Sequence, residues 1–218
     1  MNEKPLTQVQ VEALYEACAT DLNGQRTRLL VTLLLNCGLS EAEAADLRFN
    51  HIDYERRWLA VSAGLRRPRF VPLNTRVSTA LRQWQDNPDA PQTFVLGELP
   101  HGRRQRKVRA IHQDLETLAA RAGIPFSAAI ARLTLAKFLF DHSDDGQLIH
   151  DVIPAEKRAT ATLPLEHLRP FSVAHVASEM LVASKGFIPG PWEFNAPPPE
   201  TEAISDGRTM LERIGQYL

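Results

Sequence analysis

Apolar positions recur at helical spacing through most of the chain and alternate in one short region only. In "LTQVQVEALYEACA", Val11, Leu14, Tyr15 and Cys18 fall three or four residues apart behind Thr7, a natural N-cap, which predicts a first helix. After a polar break at "TDLNGQ", "RTRLLVTLLLNC" is apolar almost all round and predicts a buried helix ended by Gly38. Ser40 then caps a third, alanine-rich helix, "EAEAADLRF", with acids in its first turn. "RRWLAVSAG" and "RRPRFVPLN" read as two short strands around the turn "AGLRRP", and Pro72 marks the second as an edge strand.

Helical spacing returns in "TRVSTALRQWQ", pauses in the loop "DNPDAPQ", and resumes from Lys107 to Ala122 with Val108, Ile111, Leu115, Leu118 and Ala119 on one face, stopped by Gly123 and Pro125. "SAAIARLTLAKFLFDH" predicts a further helix with Ile130, Leu133, Ala136 and Leu139 or Phe140 as its buried stripe. "GQLIHDVI" predicts a short helix ended at Pro154, and "PLEHLRPFSVAHVASEMLVAS" one or two more. "IPGPWEFNAPPPETE" is too proline-rich for helix or strand and reads as an extended linker. "GRTMLERIGQYL", residues 207–218, is a short amphipathic helix that needs something to pack against. The pattern predicts a mainly α fold with a small antiparallel β-hairpin, an α+β arrangement. One unit spans 1–190, with the linker and terminal helix in 191–218.

A chain of 218 residues, 44% hydrophobic and 23% charged, can bury a core and is not disordered. No apolar run is long enough to span a bilayer, and "MNEKPLTQVQ" lacks the features of a signal or transit peptide, so a cytoplasmic protein with no membrane partner is expected. Cys18 and Cys37 lie inside apolar helical patterns and are read as core. The seven histidines show no metal-ligand spacing, and neither metal nor cofactor is expected. Charge changes the picture most. The net charge is −1, yet Arg56–Arg109 holds twelve arginines and lysines against Asp86, Asp89 and Glu98. A cluster of that kind can attract phosphate even on a near-neutral protein, although a merely solvated face would look the same.

Taken in order, the pieces resemble the catalytic domain of tyrosine recombinases, the phage-integrase family. "LLVTLLLNCGLSEAEAADLRFNHID" is similar to the family's "TGLR-x-SE-x-x-x-L-x-W-x-DID" at Gly38, Leu39, Glu43, Leu47, Ile52 and Asp53, with Phe49 for the usual Trp. "LAVSAGLRRPRFVPLN" matches the family hairpin at Leu59, Val61, Arg69, Val71, Pro72 and Leu73, and "AIARLTLAKFL" lies on "HxLRHTFATHL" at Arg132, Thr134, Ala136 and Leu139. The resemblance runs from about Leu6 to Arg169 and rests on the ordered series, because each piece alone is weak. It implies the family's fold and double-stranded DNA as partner.

It also implies a chemistry to test position by position. Family members attack a phosphodiester with a tyrosine, while two arginines grip the non-bridging oxygens and a lysine and two histidine-type residues manage protons. Here the first arginine falls on Ser40, the lysine on Gly64 and the first histidine on Ala129; only the second arginine, Arg132, is kept. Extended without a gap, the second histidine falls on Ala155 and the nucleophile on Pro164. A rival alignment makes Arg169 the kept arginine, with Trp192 in place of a histidine and the nucleophile on Thr201, so it also lacks the tyrosine. Of the three tyrosines, Tyr15 and Tyr217 lie on apolar faces and read as packing, and Tyr54 falls between the third helix and the hairpin.

Three functions fit. A catalytically inactive DNA-binding protein, with a regulatory, targeting or assembly role on a mobile element or plasmid, would hold phosphates with Arg66, Arg67, Arg69, Arg103, Arg104, Arg106, Lys107 and Arg109. An adaptor would use the fold and the C-terminal helix 207–218 to join a second copy or a partner recombinase. An active recombinase would need relocated or partner-supplied catalytic residues.

Overall fold

The computed structural model describes residues 4–61, 69–97 and 104–142. Within them run α1 (Gln8–Glu16), α2 (Leu22–Cys37), α3 (Glu41–Asp46), a 3-10 turn (Phe49–His51), β1 (Ile52–Asp53), β2 (Trp58–Val61), β3 (Arg69–Pro72), α4 (Thr75–Gln85), α5 (Arg104–Ala122) and α6 (Ala128–His142). The expected mainly helical chain with a small antiparallel sheet is what the structure contains. The elements expected after His142 and the 190/191 boundary lie outside the described residues.

The core is built on α2, which packs against α3, α4, α5 and α6. Leu29 to Cys37 are all buried, as an all-round apolar helix requires. The two polar residues of that buried run, Thr32 and Asn36, are satisfied internally. Thr32 pairs with the Tyr15 hydroxyl at 3.0 Å, and Asn36 accepts a 3.0 Å bond from Asn74, the N-cap of α4. One buried amide thus ties the middle of the core to the start of the next helix. Leu6, ahead of α1, donates its N–H to Thr134 of α6 at 2.9 Å.

Several boundaries differ from the sequence expectation, each for a physical reason. The polar "TDLNGQ" is the first turn of α2, not a break: Asp21 caps it by accepting from the Gly24 N–H at 2.8 Å. Gly24 permits this because a Cβ there would stand 1.9 Å from the Ala19 carbonyl oxygen. The third helix stops at Asp46 rather than continuing through Phe49, because Leu47 turns extended and Arg48 forms an antiparallel bridge with Phe94. The hairpin is a three-stranded sheet, β1-β2-β3, with Ile52 opposite Leu59 and Leu59 opposite Val71. Pro72 does lie on an edge strand. α5 starts at Arg104, before Lys107, so the basic residues from 104 onward belong to the helix.

On α6 the buried residues among those described are Ala128, Ile130, Ala131, Thr134, Leu135, Phe138 and Leu139; Leu133 is exposed and Ala136 half-buried, so the buried face is rotated from the expected stripe. Cys18 and Cys37 are free and buried, and burial pushes the Cys18 thiol up to about 11. Among the described residues no helix is long and apolar enough to cross a membrane.

Candidate functional site

The segment from Gly38 to Glu43 forms the corner where α2 hands over to α3. Gly38 sits in the left-handed conformation (φ 58°) and closes α2 by donating its N–H to the Leu34 carbonyl at 3.1 Å. Ser40 and Glu43 form a capping box. The Ser40 Oγ accepts from the Glu43 N–H at 3.2 Å, and Glu43 Oε2 accepts the Ser40 N–H at 2.8 Å.

Arg132 reaches into this corner from α6. Its Nε donates to the Gly38 carbonyl at 2.8 Å and its Nη2 to Glu43 Oε2 at 3.1 Å. Both acceptors lie where negative charge collects, one at the C-terminal end of α2 and one on a carboxylate. The pair is mostly withdrawn from water, with 13% of the Arg132 side chain and 7% of the Glu43 side chain exposed. Ser40, Glu43 and Arg132 therefore form one hydrogen-bonded unit that pins α2, α3 and α6 together. Ala129 lies one turn before Arg132 in the first turn of α6 and is exposed.

The described basic candidates lie on α5 and β3. Arg106 and Arg109 are exposed on the first turns of α5, and the Lys107 ammonium stands 3.2 Å from the centroid of the Phe94 ring. Arg104 opens α5 and Arg69 opens β3. Gly64, Arg66, Arg67, Arg103, Ala155, Pro164, Arg169, Trp192, Thr201 and Tyr217 lie outside the described residues, as does the helix 207–218.

α3 and α5 pack side by side, and the His112 Nδ1 meets Glu41 Oε1 at 3.0 Å. α5 thus runs along α3, with His112 at its first residue and Lys107 on the ring that bridges to Arg48 just past its end. Sequence reasoning missed Arg48. Its guanidinium lies 4.4 Å from the same Phe94 centroid, and it stands just before the basic stretch, where a count of local charge does not reach.

Two of the three tyrosines, Tyr15 and Tyr54, fall among the described residues. Tyr15 is 2% exposed, and burial pushes its phenol well above the ordinary value. Tyr54 is half-buried, donates to Gln85 Oε1 at 3.3 Å and lies under the Arg82 guanidinium, with burial again raising the phenol.

Comparison with known proteins gives this arrangement its class, the catalytic domain of the tyrosine recombinases. The model of the phage integrase family matches residues 4–153, and the chain belongs to that family. Tyrosine recombinase XerA of Pyrococcus furiosus is 28% identical over 159 residues, covering 69% of this chain and 52% of that protein. XerC of Xanthomonas campestris pv. campestris is 26% identical over 160 residues, 70% of this chain and 49% of that one. The chain thus spans about half the length of these relatives.

Among solved structures, the integrase from mycobacterium phage Brujita superposes with a TM-score of 0.65 at 18% identity, over 81% of this chain and 57% of that one. The Tn1549 transposon integrase, solved in complex with circular intermediate DNA, superposes with a TM-score of 0.56 at 17% identity, over 83% and 65%.

Proposed function

We propose that this chain is a DNA-binding member of the phage integrase family that has given up strand cleavage and serves a regulatory, targeting or assembly role. The observation that carries this reading is the state of the Gly38–Glu43 corner. By the motif resemblance Ser40 stands where an arginine would grip the phosphate. Here its hydroxyl accepts a backbone N–H and completes a helix cap, and serine brings no positive charge. Losing one pre-aimed donor to a developing oxyanion costs on the order of 100-fold or more in rate. Arg132 is held by Glu43 and the Gly38 carbonyl, so its fork acts as an architectural tie. The same resemblance adds Gly64, Ala129, Ala155 and Pro164 to the positions read as lost, the last of them the nucleophile's. The family match ends at residue 153, so Ala155 and Pro164 rest on gapless extension beyond it.

DNA binding is supported by the family, whose relatives are named recombinases, by the DNA complex of the Tn1549 integrase, and by exposed Arg106 and Arg109 beside Lys107. Phosphate contacts of this type make affinity fall steeply with salt. The test is equilibrium binding of the full chain to a duplex at about 50 and about 200 mM salt, where an affinity drop of tenfold or more is expected. Binding that is absent, or equal at the two concentrations, overturns the reading.

A further inference from the structure

We infer that Arg48, Phe94 and Lys107 form a phosphate-binding platform at the C-terminal end of α3, with Phe94 positioning two cations that contact one stretch of DNA backbone. This rests on the DNA-binding reading above and extends it to residues that the family motif leaves unspecified.

The ring is held on rigid backbone. Phe94 bridges to Arg48, the Phe49 N–H donates to the Thr93 carbonyl at 3.2 Å, and the Val95 N–H donates to the Leu47 carbonyl at 2.9 Å. Trp84 Nε1 donates to the Val95 carbonyl at 2.6 Å, and the Gly97 N–H to the Phe94 carbonyl at 3.1 Å. Onto this fixed ring come the Arg48 guanidinium, 4.4 Å from its centroid, and the Lys107 ammonium, 3.2 Å away.

Two like charges drawn to one ring repel each other, and the ring's quadrupole offsets this only in part. Elsewhere in the described residues Arg26 meets Asp114 at 2.6 Å and Arg132 meets Glu43 at 3.1 Å. Neither Arg48 nor Lys107 has a carboxylate within 4 Å among the described residues. Arg48 is exposed, as are Arg106 and Arg109 on the adjoining turns of α5. A polyanion laid along this edge supplies the missing counter-charge. Because the ring already fixes the cation stems, less side-chain freedom is lost on binding.

The experiment is fluorescence anisotropy of the full chain with a labelled duplex of about 30 base pairs, from about 50 to about 200 mM salt. Arg48→Gln and Lys107→Gln each weaken binding about tenfold at the lowest salt and make the slope of log K against log salt shallower by about 0.9. Phe94→Leu weakens binding, Phe94→Tyr restores it, and Arg48→Gln costs less in the Phe94→Leu background than in the wild type. Additive losses would mean that the ring does not position Arg48. If Phe94→Leu fails to fold, the two charge substitutions decide. Wild-type slope and affinity in both variants, with the wild type still binding duplex, overturn the platform alone. A wild type whose binding does not depend on salt overturns the platform together with the DNA-binding reading.

Discussion

The two ends of α3 treat positive charge in opposite ways. At the N-terminal end, Arg132 is enclosed and gives two of its donors to Glu43 and the Gly38 carbonyl, with Ser40 bonded to the same carboxylate. At the C-terminal end, Arg48 and Lys107 lean on an aromatic ring, and Arg106 and Arg109 stand in solvent. One fold thus carries an enclosed, paired arginine and, on other elements, arginines that cost little to keep charged. An enclosed pair is dangerous to break and useless for binding a new anion. An exposed group is nearly neutral for stability and remains available.

The sharpest way to break this contrast is to remove one member of the enclosed pair. Arg132→Ala or Glu43→Ala should lower unfolding stability by about 3 kcal/mol, because the partner is left charged and desolvated. Arg48→Gln should stay within about 0.5 kcal/mol of wild type. Urea denaturation compares them, and equal losses would erase the distinction between the two ends.

At the exposed end the effect moves from stability to binding. Arg106→Gln with Arg109→Gln should weaken duplex binding about a hundredfold at about 50 mM salt and remove close to two from the salt slope. The melting temperature should not change. A double variant that melts early and binds normally would reverse the assignment.

Ser40→Ala should cost about 1 kcal/mol through the lost helix cap, read as a shift in the urea midpoint. A serine that costs nothing would not be a cap.

The smallest effect is a pH dependence at the seam between α3 and α5. The hydrogen bond to Glu41 holds the His112 imidazole above its ordinary value, aided by the Glu41 and Glu116 charges and opposed by slight desolvation. A raised value in the folded state means that this contribution is complete below about pH 6.5 and is lost as pH rises through the folded value. His112 is more than half exposed, so solvent screens the effect. Melting scans across that range should show a shallow decline that His112→Gln flattens.

What could be read from the sequence follows the range of the forces involved. The cap of α3 by Ser40, the C-cap of α2 at Gly38 and the full extent of α4 are set by neighbouring residues, and the local pattern gave them correctly. The first turn of α2 was masked because Asp21 and Gly24 look like loop residues until the close approach of Ala19 is known. The bridge between Arg48 and Phe94, which truncates α3 and builds the ring platform, joins segments with no local mark of pairing. α6 has apolar residues on nearly every side, so periodicity alone could not choose its buried face. Thr134 enters that face because its hydroxyl bonds the Ile130 carbonyl and the Leu6 N–H.

The site divides the same way. Arg132 and Glu43 both fall on family motif positions, but nothing in the motif says that they bond to each other and to Gly38. That tie is three-dimensional.

The most direct test of the central claim is to offer the full chain a duplex nicked so that any covalent protein–DNA intermediate is trapped, then to separate the products under denaturing conditions. The account predicts a complex that forms at low salt and leaves no denaturation-resistant adduct. A covalent adduct on a tyrosine of this chain would contradict it, and would return the protein to the active recombinases.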